Sequence, residues 1–174
     1  MPWIREDLTF KQTVAAAALT VLLMSPAALH LSLALAPTLP PRELLTAALG
    51  LGVLIIVAHE AGHWAAARAL GYRVRLALLC RRSALAVAPL GVLGRAEYFF
   101  VMLAPLLAVP MVLALALLAA PADVAAAVAL LYASASGGDL AGVADFVRRG
   151  LLGYMFREEG GELATYINTP SADR

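Results

Sequence analysis

Four long apolar blocks divide the chain, at about residues 13–36, 44–70, 98–120 and 122–147, each rich in Ala, Leu and Val. None alternates with the period of two that marks a half-buried strand, and each exceeds the about 20 residues a helix needs to cross a bilayer. Inside hydrocarbon an isolated segment must satisfy its own backbone polar groups, so helix is the expected conformation throughout. Pro26 should kink the first block. That block is much longer than the roughly 7–15 residues of a signal-peptide core, so a retained helix is expected there.

The polar breaks carry their own pattern. Between the second and third blocks, residues 71–94, Tyr72, Val74, Leu76 and Leu78 alternate with Arg73, Arg75 and small residues. Arg81-Arg82-Ser83 interrupts, and Ala84 to Ala88 offers a second short extended run before Pro89. This predicts a β-hairpin lying at the membrane surface. After Arg148 the chain turns polar, and Gly150, Gly153, Gly160 and Gly161 cut it into short pieces. The expected architecture is an all-α polytopic membrane protein of four transmembrane helices, with a short β-hairpin-like cytoplasmic loop between helices two and three. Residues 1–147 would form one integral membrane domain and residues 148–174 a short cytoplasmic tail.

Composition agrees. The chain is 62% hydrophobic and 14% charged, with a mean hydropathy of +0.83; soluble domains have about 45–50% apolar and about 25% charged residues. No charged residue occurs from Gln12 to Pro41 or from Tyr98 to Ala122. A water-soluble enzyme and a disordered tail are excluded, and a net charge of +1 gives nucleic acid no phosphate-binding surface. One cysteine, Cys80, leaves neither an internal disulfide nor a cysteine-based zinc site. With four spans and the amino terminus inside, every Lys and Arg except Arg42 falls on the cytoplasmic side, a strong positive-inside bias. Both termini are therefore expected in the cytoplasm. Arginine outnumbers lysine twelve to one, in keeping with a GC-rich bacterial genome and a bacterial cytoplasmic membrane.

Against this apolar background one stretch of the second block stands out: His59-Glu60-Ala61-Gly62-His63, an HExxH motif. Histidines four apart share a helix face, so both imidazoles can reach one zinc ion, and the intervening glutamate can act on water as a general base. Ionisable groups in a membrane helix cost roughly 2.5–3.5 kcal/mol each on insertion scales, so they usually have partners and a function. Polar packing between helices would need only a Ser, a Thr or a single Asn. Catalytic zinc usually takes three protein ligands, so a third must come from elsewhere. His30 and Asp139 lie within apolar blocks, with Glu97, Asp123 and Asp145 nearer block ends. Asp139 is best placed, because Gly137-Gly138 beside it permits close helix approach or local unwinding. His30 reads as a packed neutral side chain and Asp145 as ordinary surface charge.

HExxH in a membrane helix, a basic and partly extended loop, and an aspartate in a later helix together resemble the site-2 protease group of intramembrane zinc metalloproteases. The chain is more closely similar to a small bacterial family of zincin peptidases. That family's order of HExxH, Ala-Pro and Gly-Asp is matched by His59–His63, Ala104-Pro105 and Gly138-Asp139. The resemblance covers about Leu44 to Phe146. It implies Zn2+ held by His59, His63 and Asp139, with Glu60 as catalytic base. One departure concerns the oxyanion: site-2 proteases carry an Asn and a Pro ahead of their Asp-Gly, whereas the only asparagine here is Asn168. Ser136 and Tyr132 are the candidates left to bind substrate or stabilise the oxyanion.

The expected function is that of a zinc-dependent intramembrane endopeptidase. Its partners would be the bilayer and a membrane protein or membrane-associated peptide as substrate. The alternative is a membrane protein that binds metal without catalysis, as sensor, chaperone or partner-binding subunit, which would need the ligands but not Glu60. A metal transporter would need more polar residues along several spans than this chain has.

Overall fold

The computed structural model describes residues 3–5, 18, 20, 22, 25–31, 33–34, 37, 40–79, 84–159 and 162–169. After a short strand, β1 (Trp3–Arg5), the described residues among 18–34 are helical. Helix α1 (Pro41–Ala69) starts with proline in its first turn, where a missing N–H costs nothing, beside Glu43. It ends with Arg68 in the last turn, where a cation complements the helix dipole. Gly71, at φ 86°, then turns the chain into the hairpin of β2 (Arg73–Leu79) and β3 (Ala84–Gly94). Helices α2 (Arg95–Leu107) and α3 (Val109–Leu117) follow as one nearly continuous rod, as do α4 (Ala122–Ala135) and α5 (Gly137–Arg148). Strands β4 (Gly153–Glu159) and β5 (Glu162–Asn168) complete the chain.

The protein is not all-α. The strands form one five-stranded antiparallel sheet in the order β1-β5-β4-β3-β2, so the predicted loop hairpin is half of a larger structure. Four spans are not found either. Among the described residues three helices are long and apolar enough to cross a membrane: Leu45–Ala69, Arg95–Leu117 and Ala122–Arg148. Half of the first apolar block, 13–36, lies outside the described residues.

The sheet escapes a local reading because it draws on three distant parts of the chain. β1 is three residues long, and the apolar residues of the tail alternate over only seven residues per strand. Their apolar face becomes visible only once paired: Tyr154, Phe156 and Ile167 pack with Leu93 of β3 on the ends of the helices, against Ala66, Ala67, Tyr98, Val101 and Phe146. Tyr98 stacks on Phe146 and on Tyr154, at 4.4 and 5.1 Å between ring centroids, and so joins α2, α5 and β4. Glu97 closes the corner between hairpin and α2. Its Oε2 accepts the Gly94 backbone N–H at 2.8 Å and lies 2.8 Å from the Tyr72 hydroxyl, which is equally close to the Val92 carbonyl. Burial and then the Glu97 carboxylate push the Tyr72 phenol up to about 12, so it stays a donor at any physiological pH.

A second cluster lies between the helices, where Ala27 and Leu31 of the first helical segment meet Ile55, Ala127, Leu131 and Tyr132. The opposite face of α1 is bare: Leu45, Leu49, Val53, Leu54, Ile56 and Val57 are all more than half exposed. So large an exposed apolar surface has no place in water and matches what a lipid-facing helix presents.

Candidate metal centre

Helix α1 divides its residues between two environments. Ile55, His59, His63, Ala66 and Ala67 recur at three- and four-residue spacing on the buried face, and both imidazoles are only 6% exposed. Gly62 lets α2 come close: a Cβ there would stand 3.3 Å from Pro105. At that approach the His63 Nδ1 lies 2.8 Å from the Val101 carbonyl of α2. A carbonyl can only accept, so Nδ1 carries the proton, and in the neutral ring Nε2 faces the centre as a lone pair.

Asp139 arrives from the break between α4 and α5. Ser136 interrupts the rod with a tightened turn, its N–H bonded to the Ala133 carbonyl. Gly137 allows close contact with the first helical segment, since a Cβ there would stand 2.8 Å from the Thr20 Oγ1. Asp139 thus falls in the first turn of α5, and its Oδ2 lies 2.9 Å from the His59 Nε2 and 3.3 Å from the His63 Nε2. The two Nε2 atoms are 3.2 Å apart.

Three donor atoms from two helices therefore form a near-equilateral triangle. Ligands at about 2.0–2.1 Å from a tetrahedral zinc would be about 3.3 Å from one another, which is the size of this triangle. Asp139 Oδ2 is buried between the two imidazole Nε2 atoms, and the buried His59 Nδ1 has no hydrogen-bond partner among the described residues. In the neutral tautomer that donates to Val101, the His63 Nε2 lone pair faces the Asp139 carboxylate at 3.3 Å in a low-dielectric site, an arrangement that a cation among them would stabilise. The donor set fits zinc.

Glu60 stands beside this triangle. It is half-buried, and its Oε2 accepts the backbone N–H of Val87 in β3 at 3.0 Å. Donor atoms of His59, Glu60 and His63 also lie within 4.8 Å of one another, a second set that could hold a metal. Its spacing is looser than that of the Asp139 triangle, and the Val87 N–H draws the glutamate to one side.

The remaining sequence candidates separate clearly. Tyr132 is 2% exposed with its ring 6.2 Å from that of His59, centroid to centroid, and Ser136 is wholly buried with a hydroxyl that finds no partner among the described residues. His30 is exposed on the first helical segment, and Asp123 is exposed at the start of α4. Glu97 is held by Gly94 and Tyr72, and Asp145 pairs with Arg148 and Arg149 at the end of α5. Two participants were missed from sequence, the Val101 carbonyl and the Val87 N–H. Both are backbone groups with no letter of their own, and Ala104-Pro105 is the sequence signal that lies beside the first.

A membrane-type helix with an HExxH pair, closed by an aspartate from a broken neighbour, defines a zincin-type centre. The family profile named "Putative zincin peptidase" matches residues 52–149, more than half of the chain, and the protein belongs to that family. No curated protein and no solved structure matches it.

Proposed function

We propose that this protein is an intramembrane zinc endopeptidase of the site-2-protease kind, cutting a peptide bond in or near the membrane segment of a protein substrate. The observation that carries this reading is the His59, His63 and Asp139 triangle, in helices long and apolar enough to span a bilayer, with Glu60 beside it. His59, His63 and Asp139 would hold the ion. Zinc bound there would polarise the scissile carbonyl and acidify water. Glu60 takes the proton from the attacking water and passes it to the leaving amine. Tyr132, its ring 6.2 Å from that of His59, and the buried Ser136 are the candidates to hold the substrate or its developing oxyanion.

His59–His63 lie 6–10 residues before the end of α1, about 9–15 Å along the helix. Water and an unwound substrate segment would both enter from the sheet side. Among the described residues, the 84–90 part of β3 pairs with β2 alone, and its outward N–H at Val87 is within hydrogen-bond reach of Glu60. An extended substrate has main-chain partners on that strand edge beside the base. The sheet, which carries both β1 and β5, would lie on the cytoplasmic side of a bacterial membrane, following the arginine distribution.

Glu60→Gln tests the proposal. The purified variant should keep its zinc and lose cleavage of reconstituted single-span substrates by a factor of about 10² or more. Zinc retained with cleavage at the wild-type rate would remove Glu60 as the base, and zinc-loaded wild type that cleaves no substrate would falsify the enzymatic reading and leave a metal-binding membrane protein.

A further inference from the structure

We infer that Pro105 is a positioning residue for His63, acting through the backbone carbonyl it leaves unpaired. In an α-helix the carbonyl of residue i accepts the N–H of residue i+4. Pro105 is inside α2 and has no N–H, so the carbonyl four residues earlier, that of Val101, loses its helical donor. Val101 is 3% exposed and far from water, where an unmatched carbonyl is costly. The donor that reaches it, at 2.8 Å, is the His63 Nδ1–H.

The same proline sets the distance. The gap left by Gly62 is filled by Pro105 itself, whose Cα and Cγ would lie 3.3 Å from a Cβ at that position. A flat residue on α1 and a ring on α2 bring the helices to the separation at which imidazole and carbonyl meet. Pro105 thus does two things to one side chain. It offers His63 an acceptor with no competing donor, and through that bond it selects the tautomer whose Nε2 lone pair points at Asp139 and His59. An Ala-Pro pair in a helix two elements away from the motif becomes part of the ligand's orientation.

This rests on the metal-centre reading, and the experiment separates the two. The protein has three histidines, so selectively labelled metal-free protein in detergent gives a simple nitrogen spectrum in which each tautomer can be assigned. In wild type His63 should be in the Nδ1–H form. Pro105→Ala restores the N–H, which competes for the Val101 carbonyl. His63 should then shift toward the Nε2–H form, and zinc affinity, measured by competition with a chromophoric chelator, should fall about 10-fold, the low end for loss of an outer-shell partner. Pro110→Ala, at an exposed proline in the first turn of α3, should change neither readout. A fall in zinc affinity with the His63 tautomer unchanged would reduce Pro105 to a packing residue and overturn the inference, as would wild-type values in both readouts. Wild type in the expected tautomer but without zinc affinity would instead remove the metal centre and leave the positioning role standing.

Discussion

Asp139 differs from the rest of the centre in how it is reached. The histidines share a face by one helix and a spacing of four, so α1 alone brings them together. Asp139 depends on the tightened turn at Ser136 and on the contact of Gly137 with Thr20. One oxygen of its carboxylate stands 2.9 and 3.3 Å from the two imidazoles. Asp139→Ala should weaken zinc binding by more than about 100-fold, beyond the 10–100-fold typical of outer-shell changes. The check is zinc content and chelator competition beside His59→Ala. If Asp139→Ala binds zinc as wild type does, the third ligand is Glu60 or a group elsewhere. At this scale the sequence was most readable where charge broke an apolar run. His59, Glu60, His63 and Asp139 are legible because hydrocarbon tolerates so few such residues, whereas the carbonyl of Val101 is hidden inside an ordinary letter.

At the scale of elements, strand β3 meets the end of α1 in an unexpected partnership. Val87 lies opposite Leu76 in the hairpin, yet its N–H turns away from β2 to Glu60. That bond holds the carboxylate by its Oε2 and fixes where the proposed base stands relative to the triangle. Val87→Pro deletes this N–H without removing a donor from the β2–β3 ladder, so the hairpin should tolerate it. Zinc affinity should be unchanged and turnover should drop about 10-fold, the value of one hydrogen bond to a charged group. Equal turnover in the variant would detach the strand from the chemistry. The hairpin itself was readable from the alternation of Tyr72, Val74 and Leu76 with arginines. The sheet around it was not, because pairing of β1 with β5 and of β3 with β4 joins residues some 60 to 165 positions apart, and no local period records that.

For the whole molecule, the sheet does what a string of helices could not: it ties the described beginning of the chain, the central hairpin and the tail into one body at one end of the helices. Trp3 pairs with Asn168, Gly94 with Gly153, and the Tyr98, Phe146 and Tyr154 stack fastens that body to α2 and α5. Whatever side of the membrane the sheet occupies, β1, the hairpin and the tail share it. The link between α3 and α4, near Ala119, should face the other side if both rods cross the bilayer. This can be measured with Cys80→Ser as the background, since Cys80 is the sole native thiol. Arg157→Cys on β4, at a side chain 68% exposed, should react with a membrane-impermeant maleimide in inverted vesicles and not in intact spheroplasts. Ala119→Cys, exposed in that link, should show the opposite. A reversed pattern would move the sheet, and with it the water entrance, to the outer face. Labelling of both sites from one side would mean that α2–α3 and α4–α5 do not cross, and the zinc triangle would then belong to a surface-lying protein.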